Sequence, residues 1–266
     1  MFKTTVQPPL VSLFSSVGSH PLQLFSTHVD VQLPEDSLIQ LLNDATSLPA
    51  PLAPGRLLHP PQLPLKPCSA SPQDEERVAD SHEGKVLSSN VLHIQSPTLR
   101  TTFIHSPPLG SPMGLGLKHT WMHLQVRNMT KEWAFEIGLV DVLGQEGRVR
   151  FATFQVCVSS RSPDSSLSHS DTLFSRQETA QRYATSGSPV LVVPVHFPRL
   201  DESTLTTWTT LSVSLPQFCS CCTGQEYDSI SYMRVYATCR LRRIWFTDRP
   251  GVESVGQERW ELALYD

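Results

Sequence analysis

Cys219, Ser220, Cys221 and Cys222 place three thiols in one tetrapeptide, and Cys239 and Cys157 lie elsewhere in the chain. Four thiolates can hold zinc in a tetrahedron, but structural zinc sites bring their cysteines as two paired units, and no second Cys-x-x-Cys exists here. These thiols read better as small buried apolar residues, with Cys239 packed beneath a strand. His119 and His123 have the separation of a metal pair on a helix. They fall in a strand pattern instead, where four residues span ~13 Å, so they are expected as separate surface residues. Nucleophile-elbow, phosphate-loop and dinucleotide motifs are missing, and scattered Ser, His and Asp make no triad. No catalytic residue, metal or cofactor is expected.

The sharpest charged feature is the run Arg240, Arg242, Arg243 and Arg249. A guanidinium offers a planar fork of donors that matches carboxylates, which suits an acidic partner surface. With Lys3 these arginines are the candidate partner-binding residues. Strand alternation puts Arg240 and Arg242 on one face and Arg243 on the other unless a bulge intervenes. The competing reading is a solvated face paired with Asp248, Glu253 and Glu258.

Composition restricts the partners. Lys and Arg number 21 against 25 Asp and Glu, a net charge of -4, which argues against general nucleic-acid binding. No apolar run approaches the ~20 residues of a bilayer-spanning helix, so no membrane association is expected. The stretch Leu10, Val11, Leu13 and Phe14 is too short and too broken by Pro8, Pro9 and Ser12 for a signal peptide. Six cysteines without regular spacing read as reduced thiols in the cytoplasm.

The elements that must position these residues are strands. Met122, Leu124 and Val126 alternate with His123, Gln125 and Arg127, one apolar and one polar face at a period of two. Phe135, Ile137 and Leu139 repeat the pattern, as do Leu211, Val213 and Leu215. Further strands are expected over 86–94, 100–105, 148–158, 190–195, 233–237, 239–246 and 260–264, with an edge strand entered through a turn in residues 1–29. Pro216 to Cys222 suits a helical turn, because proline fits the start of a helix. Asp36 to Asn43 is expected as a short helix with an acidic start. Two stretches lack this periodicity: a Pro-rich insertion over 30–84, whose prolines cluster between Pro49 and Pro72, and a Ser-rich insertion over 160–188. Together these features predict one all-β domain over 1–266, a jelly-roll-like β-sandwich with short helical turns and two long disordered insertions.

Three stretches carry a resemblance. Met1 to Gln7 followed by Leu13 to Leu24, the block Tyr232 to Arg249, and more loosely Leu117 to Asp141 with Trp208 to Phe218 resemble the cilia- and flagella-associated protein 20 family. That resemblance implies a jelly-roll domain shaped like a carbohydrate-binding module, without catalytic activity, that binds tubulin at the inner junction of ciliary doublet microtubules. It further implies the parkin co-regulated protein as a neighbour, and the cytoskeleton of axoneme, basal body or centriole as location. The chain departs from the family in being slightly acidic and in carrying Cys219, Cys221 and Cys222 where relatives are basic. A sugar-binding module is the alternative, since aromatic rings can stack on sugars. Trp121, Trp133, Trp208, Trp245 and Trp260 fall mostly inside apolar strands, and core positions are expected for them.

Overall fold

The computed structural model describes residues 6–50, 89–154, 181–183, 188–197 and 207–250. Two sheets pack face to face. One, sheet A, runs β11-β6-β13-β4-β3, with β1 added beside β13. The other, sheet B, runs β2-β5-β12-β7-β8-β10-β9. Sheet A is built from β1 (Leu10–Ser15), β3 (Leu38–Asn43), β4 (Asn90–Gln95), β6 (Trp121–Asn128), β11 (Trp208–Ser214) and β13 (Cys239–Thr247). Sheet B is built from β2 (Ser26–His28), β5 (Phe103–Ser106), β7 (Ala134–Asp141), β8 (Glu146–Ala152), β9 (Gln181–Tyr183), β10 (Val190–Pro194) and β12 (Tyr227–Tyr236). Pairing is antiparallel except between β8 and β10.

The period-two apolar sets become the facing surfaces of this sandwich. Met122, Leu124, Val126, Leu211, Val213, Leu241, Ile244 and Phe246 from sheet A meet Ile104, Phe135, Ile137, Val149, Phe151, Met233 and Val235 from sheet B in one buried cluster. Phe135 stacks on Phe151 at 4.5 Å. A single described helix, α1 (Leu215–Thr223), sits at the end of β11; Pro216 lies in its first turn and Gly224, at a φ of 80°, closes it in the left-handed conformation that glycine adopts freely. Phe218 of α1 meets Phe151 edge-on at 5.0 Å, which ties the helix to the core.

Two expectations are corrected. Asp36 to Asn43 is not a helix: Leu38–Asn43 is a strand paired along its whole length with β4. Its leucines suit a helix locally, but Leu41 and Ile39 gain more by packing against the core beside Leu92 and Ile94. The boundary of the Pro-rich stretch moves with it, since β3 lies inside 30–84 as a working strand. Likewise β9 lies within 160–188 and pairs with β10. The second correction concerns His119 and His123, which are 2% and 0% exposed rather than on the surface. His119 donates from Nε2 to the carbonyl of Pro8 at 2.8 Å, and this bond satisfies a polar group inside the fold. The strand expected over 260–264 lies outside the described residues, as does Trp260.

Candidate functional site

A sandwich has two inner faces, which make the core, and two outer faces, which with the edges and loops are open to partners. The expected arginines sit on sheet A. On β13 the register slips between Leu241 and Arg243 against β6, so two residues there oppose one. Arg240 pairs with Arg127 and Arg243 with Gln125, and Arg127 and Gln125 are two apart on β6. Arg240 and Arg243 therefore share the outer face, and Arg242 is the bulged residue.

That face is closed. Arg240 donates from Nη1 to Asp44 Oδ1 at 2.6 Å and to the Asp44 carbonyl at 2.9 Å, and from Nη2 to Ser47 Oγ at 2.8 Å. Arg127 donates to both oxygens of Asp44 at 3.2 Å, and Trp208 donates from Nε1 to Oδ2 at 2.8 Å. Asp44, Arg127 and Arg240 are all buried. This is a desolvated carboxylate held between two guanidinium groups, and it locks the loop after β3 onto β6, β11 and β13. Farther along the face, His123 lies between two hydroxyls. Thr247 Oγ1 donates to the carbonyl of Arg249 and so accepts from His123 Nε2 at 2.8 Å, while Ser212 Oγ lies 2.9 Å from Nδ1. Trp245 stacks on the imidazole at 5.0 Å. Burial pushes the His123 pKa down to about 4. Of the remaining expected residues, Arg242 is buried, Arg243 half-buried and Arg249 exposed; Lys3 lies outside the described residues.

The outer face of sheet B is built differently. Tyr232, Arg234 and Tyr236 recur at the strand period on β12, next to His105 and Phe103 on β5 and to Gly138 and Glu136 on β7; Arg148 and Arg150 follow on β8. Glu136 is buried and saturated. Its Oε2 accepts from Arg150 Nε and Nη2 at 2.9 and 2.6 Å, and its Oε1 accepts from the Tyr232 hydroxyl at 2.7 Å. Burial works against the charge on Arg150, but the carboxylate outweighs it and holds the pKa above the usual arginine value. Tyr232 lies across Gly138, where a Cβ would come within 2.4 Å of the ring, so only glycine leaves room for it. The ring stacks on His105 at 5.3 Å.

Arg234 stands among three rings: Phe103 at 4.5 Å, Tyr236 at 5.7 Å and Tyr232 at 5.9 Å. It donates from Nη1 to the Tyr236 hydroxyl at 3.1 Å. Among the described residues no carboxylate lies within ion-pairing distance of Arg234 or Arg148, and both are half-buried. Sequence reasoning missed these residues because they are dispersed over four strands, β5, β7, β8 and β12. The available signal was the polar partner of each apolar alternation, Arg148 with Arg150 and Tyr232 with Arg234 and Tyr236.

Cys219, Cys222 and Cys239 are buried, and among the described residues no group of His, Cys, Asp and Glu could hold an ion. Cys222 rests on Gly147, where a Cβ would lie 2.9 Å from its sulfur, so α1 approaches the start of β8 closely.

Residues 64–164 and 188–253, more than half of the sequence, match the model of the CFA20 domain. The chain belongs to the CFA20-domain family. It is 24% identical over 265 residues to the cilia- and flagella-associated protein 20 of Caenorhabditis elegans, covering 99% of this chain and 91% of that protein. The Paramecium tetraurelia protein of the same name is 22% identical over 94% of this chain and 89% of its own length. That of Chlamydomonas reinhardtii is 24% identical over 180 residues, 66% of this chain and 76% of that protein. The CFA20 match contains β4 to β8 and β10 to β13, and with them Arg127, Arg240 and Arg243 on sheet A and Arg148, Arg150 and Arg234 on sheet B.

Proposed function

We propose that this protein is a non-catalytic structural module of cilia and flagella that lies on doublet microtubules, in the manner of an inner-junction protein. The observation that carries the reading is the outer face of sheet B, where half-buried arginines stand on a rigid sheet with their one buried carboxylate already saturated, in a chain of the CFA20-domain family. Tubulin presents acidic surfaces, and fixed guanidinium groups are suited to carboxylates. Repetition along a filament would multiply a modest affinity through effective concentration. The parkin co-regulated protein is the expected neighbour, and axoneme, basal body or centriole the expected location.

The His123 and Ser212 contact does not favour catalysis. A base with a pKa of about 4 is weak near neutrality, and the second imidazole nitrogen is bonded to a hydroxyl rather than to an orienting carboxylate. The sugar-binding alternative gains nothing from Phe103, whose ring stacks on His28 of β2 at 4.7 Å and lies 4.5 Å from the Arg234 guanidinium.

Purified protein should pellet with taxane-stabilised microtubules, and the bound fraction should fall as salt rises, because contacts between exposed charges are screened over ~8–10 Å near physiological ionic strength. Saturable binding to a polysaccharide panel without pelleting would reverse the assignment.

A further inference from the structure

We infer that the outer face of sheet B is a docking surface for a carboxylate-rich, extended polypeptide segment, with Arg234 and Arg148 as its two seats. The inference rests on the microtubule reading above and makes it specific: the partner supplies consecutive acidic side chains on a flexible strand rather than a folded, shape-matched patch.

Local charge comes first. Among the described residues of this face Arg150 and Glu136 neutralise each other, and the remaining carboxylate, Glu146, lies at the hairpin end of β8 and accepts from Ser231. Among the described residues Arg234 and Arg148 have neutral partners only, a tyrosine hydroxyl and a long 3.5 Å bond to the Ser188 carbonyl. Positive charge thus stands uncompensated in a chain whose net charge is -4. Rigidity comes second. Arg234 is held by three rings, so little side-chain entropy is lost when a carboxylate arrives, and a preorganised guanidinium binds better than a mobile one. Spacing comes third. Arg234 on β12 and Arg148 on β8 stand two strands apart, ~10 Å across the sheet at ~4.8 Å per strand. An extended chain advances ~6.6 Å every second residue, so acidic side chains two to four residues apart bridge both seats.

The test uses the full chain and a fluorescein-labelled Glu-rich peptide, read by anisotropy. Arg234→Gln should weaken binding about tenfold, the loss of one charge-assisted contact, and Arg148→Gln should do the same. Arg234→Lys, which keeps the charge but not the planar fork, should recover part of the loss. Lys118→Gln, an exposed cation paired with Asp228 away from this face, should bind like the wild type. Near-UV circular dichroism checks each variant, and Arg148→Gln keeps the test decisive should Arg234→Gln fail to fold. Unchanged binding in folded variants would overturn the inference, as would tighter binding of a single-stranded oligonucleotide of equal charge. Wild-type protein that pellets with microtubules but ignores the peptide would refute the acidic-segment inference and leave the microtubule reading standing. Peptide binding that needs Arg234, without pelleting, would do the reverse.

Discussion

The outer faces of the two sheets carry similar residues and use them in opposite ways. On sheet A, Arg127 and Arg240 close on Asp44 and are buried with it, so that their charge is consumed inside the fold. On sheet B, among the described residues, only Arg150 is consumed, by Glu136, while Arg234 is packed against rings and Arg148 has no carboxylate within ion-pairing distance. A cluster of arginines in the sequence is therefore a poor guide to binding charge. What decides is whether the fold brings a carboxylate to each one, and that depends on pairing over long distances along the chain.

The comparison breaks first if the buried triad can be disturbed cheaply. Arg240→Glu places a second anion against Asp44 and should lower unfolding free energy by at least about 3–5 kcal/mol, the cost of breaking a buried ion pair. Urea unfolding followed by far-UV circular dichroism measures it. A loss under ~1 kcal/mol would be typical of an exposed pair and would put Arg240 back on a free surface.

Next in size is an acid effect specific to sheet A. An unfolded histidine titrates near 6.5, whereas His123 in the fold titrates at about 4. The unfolded state therefore takes up the proton first. Stability from this group is complete above pH ~6.5 and falls by ~1.4 kcal/mol per unit towards pH 4, on the order of 3 kcal/mol in all. His93 and His105, also held low by burial, add in the same direction. His123→Gln should flatten the dependence of unfolding free energy on pH between about 7 and 4 by up to one proton. An unaltered slope would mean that His123 is open to water.

The smallest effect sharpens the contrast from the other side. Arg234→Gln should change unfolding free energy by less than ~1 kcal/mol, because a half-exposed cation over rings contributes about that much, while association suffers. A calorimetric melt gives the first quantity. A large loss of stability would make Arg234 as structural as Arg240 and erase the difference between the faces.

The strands that form the core were legible because alternation is local: Met122 to Val126, Phe135 to Leu139 and Leu211 to Val213 announce their inner faces without reference to anything else. The helical turn was legible through Pro216. Leu38 to Asn43 was not, since Leu-Ile-Gln-Leu-Leu does not alternate and its strand state is set by β4, about fifty residues on. The closure of Arg240 on Asp44 was hidden for a related reason. Asp44 and Arg240 are 196 residues apart, and no local pattern ties one to the other. The sheet-B set was hidden by dispersal, because Phe103, Glu136, Arg150 and Arg234 become neighbours only through strand register.

The bulge at Arg242 bears on how this strand can vary. Deleting Arg242 would leave Cys239, Leu241, Ile244 and Phe246 in phase on the core side, and Arg240, Arg243 and Trp245 in phase on the other, since the residue is supernumerary to the pairing with β6. Deleting Leu241 or Ile244 would remove a core side chain as well. Position 242 is thus the point in β13 where a gap can open or close without changing faces, also where the strand passes from β4 to β1 as its neighbour. Superposing a sequence that lacks the bulge has to change phase at that residue, or it will set inward-facing positions of one protein against outward-facing positions of the other.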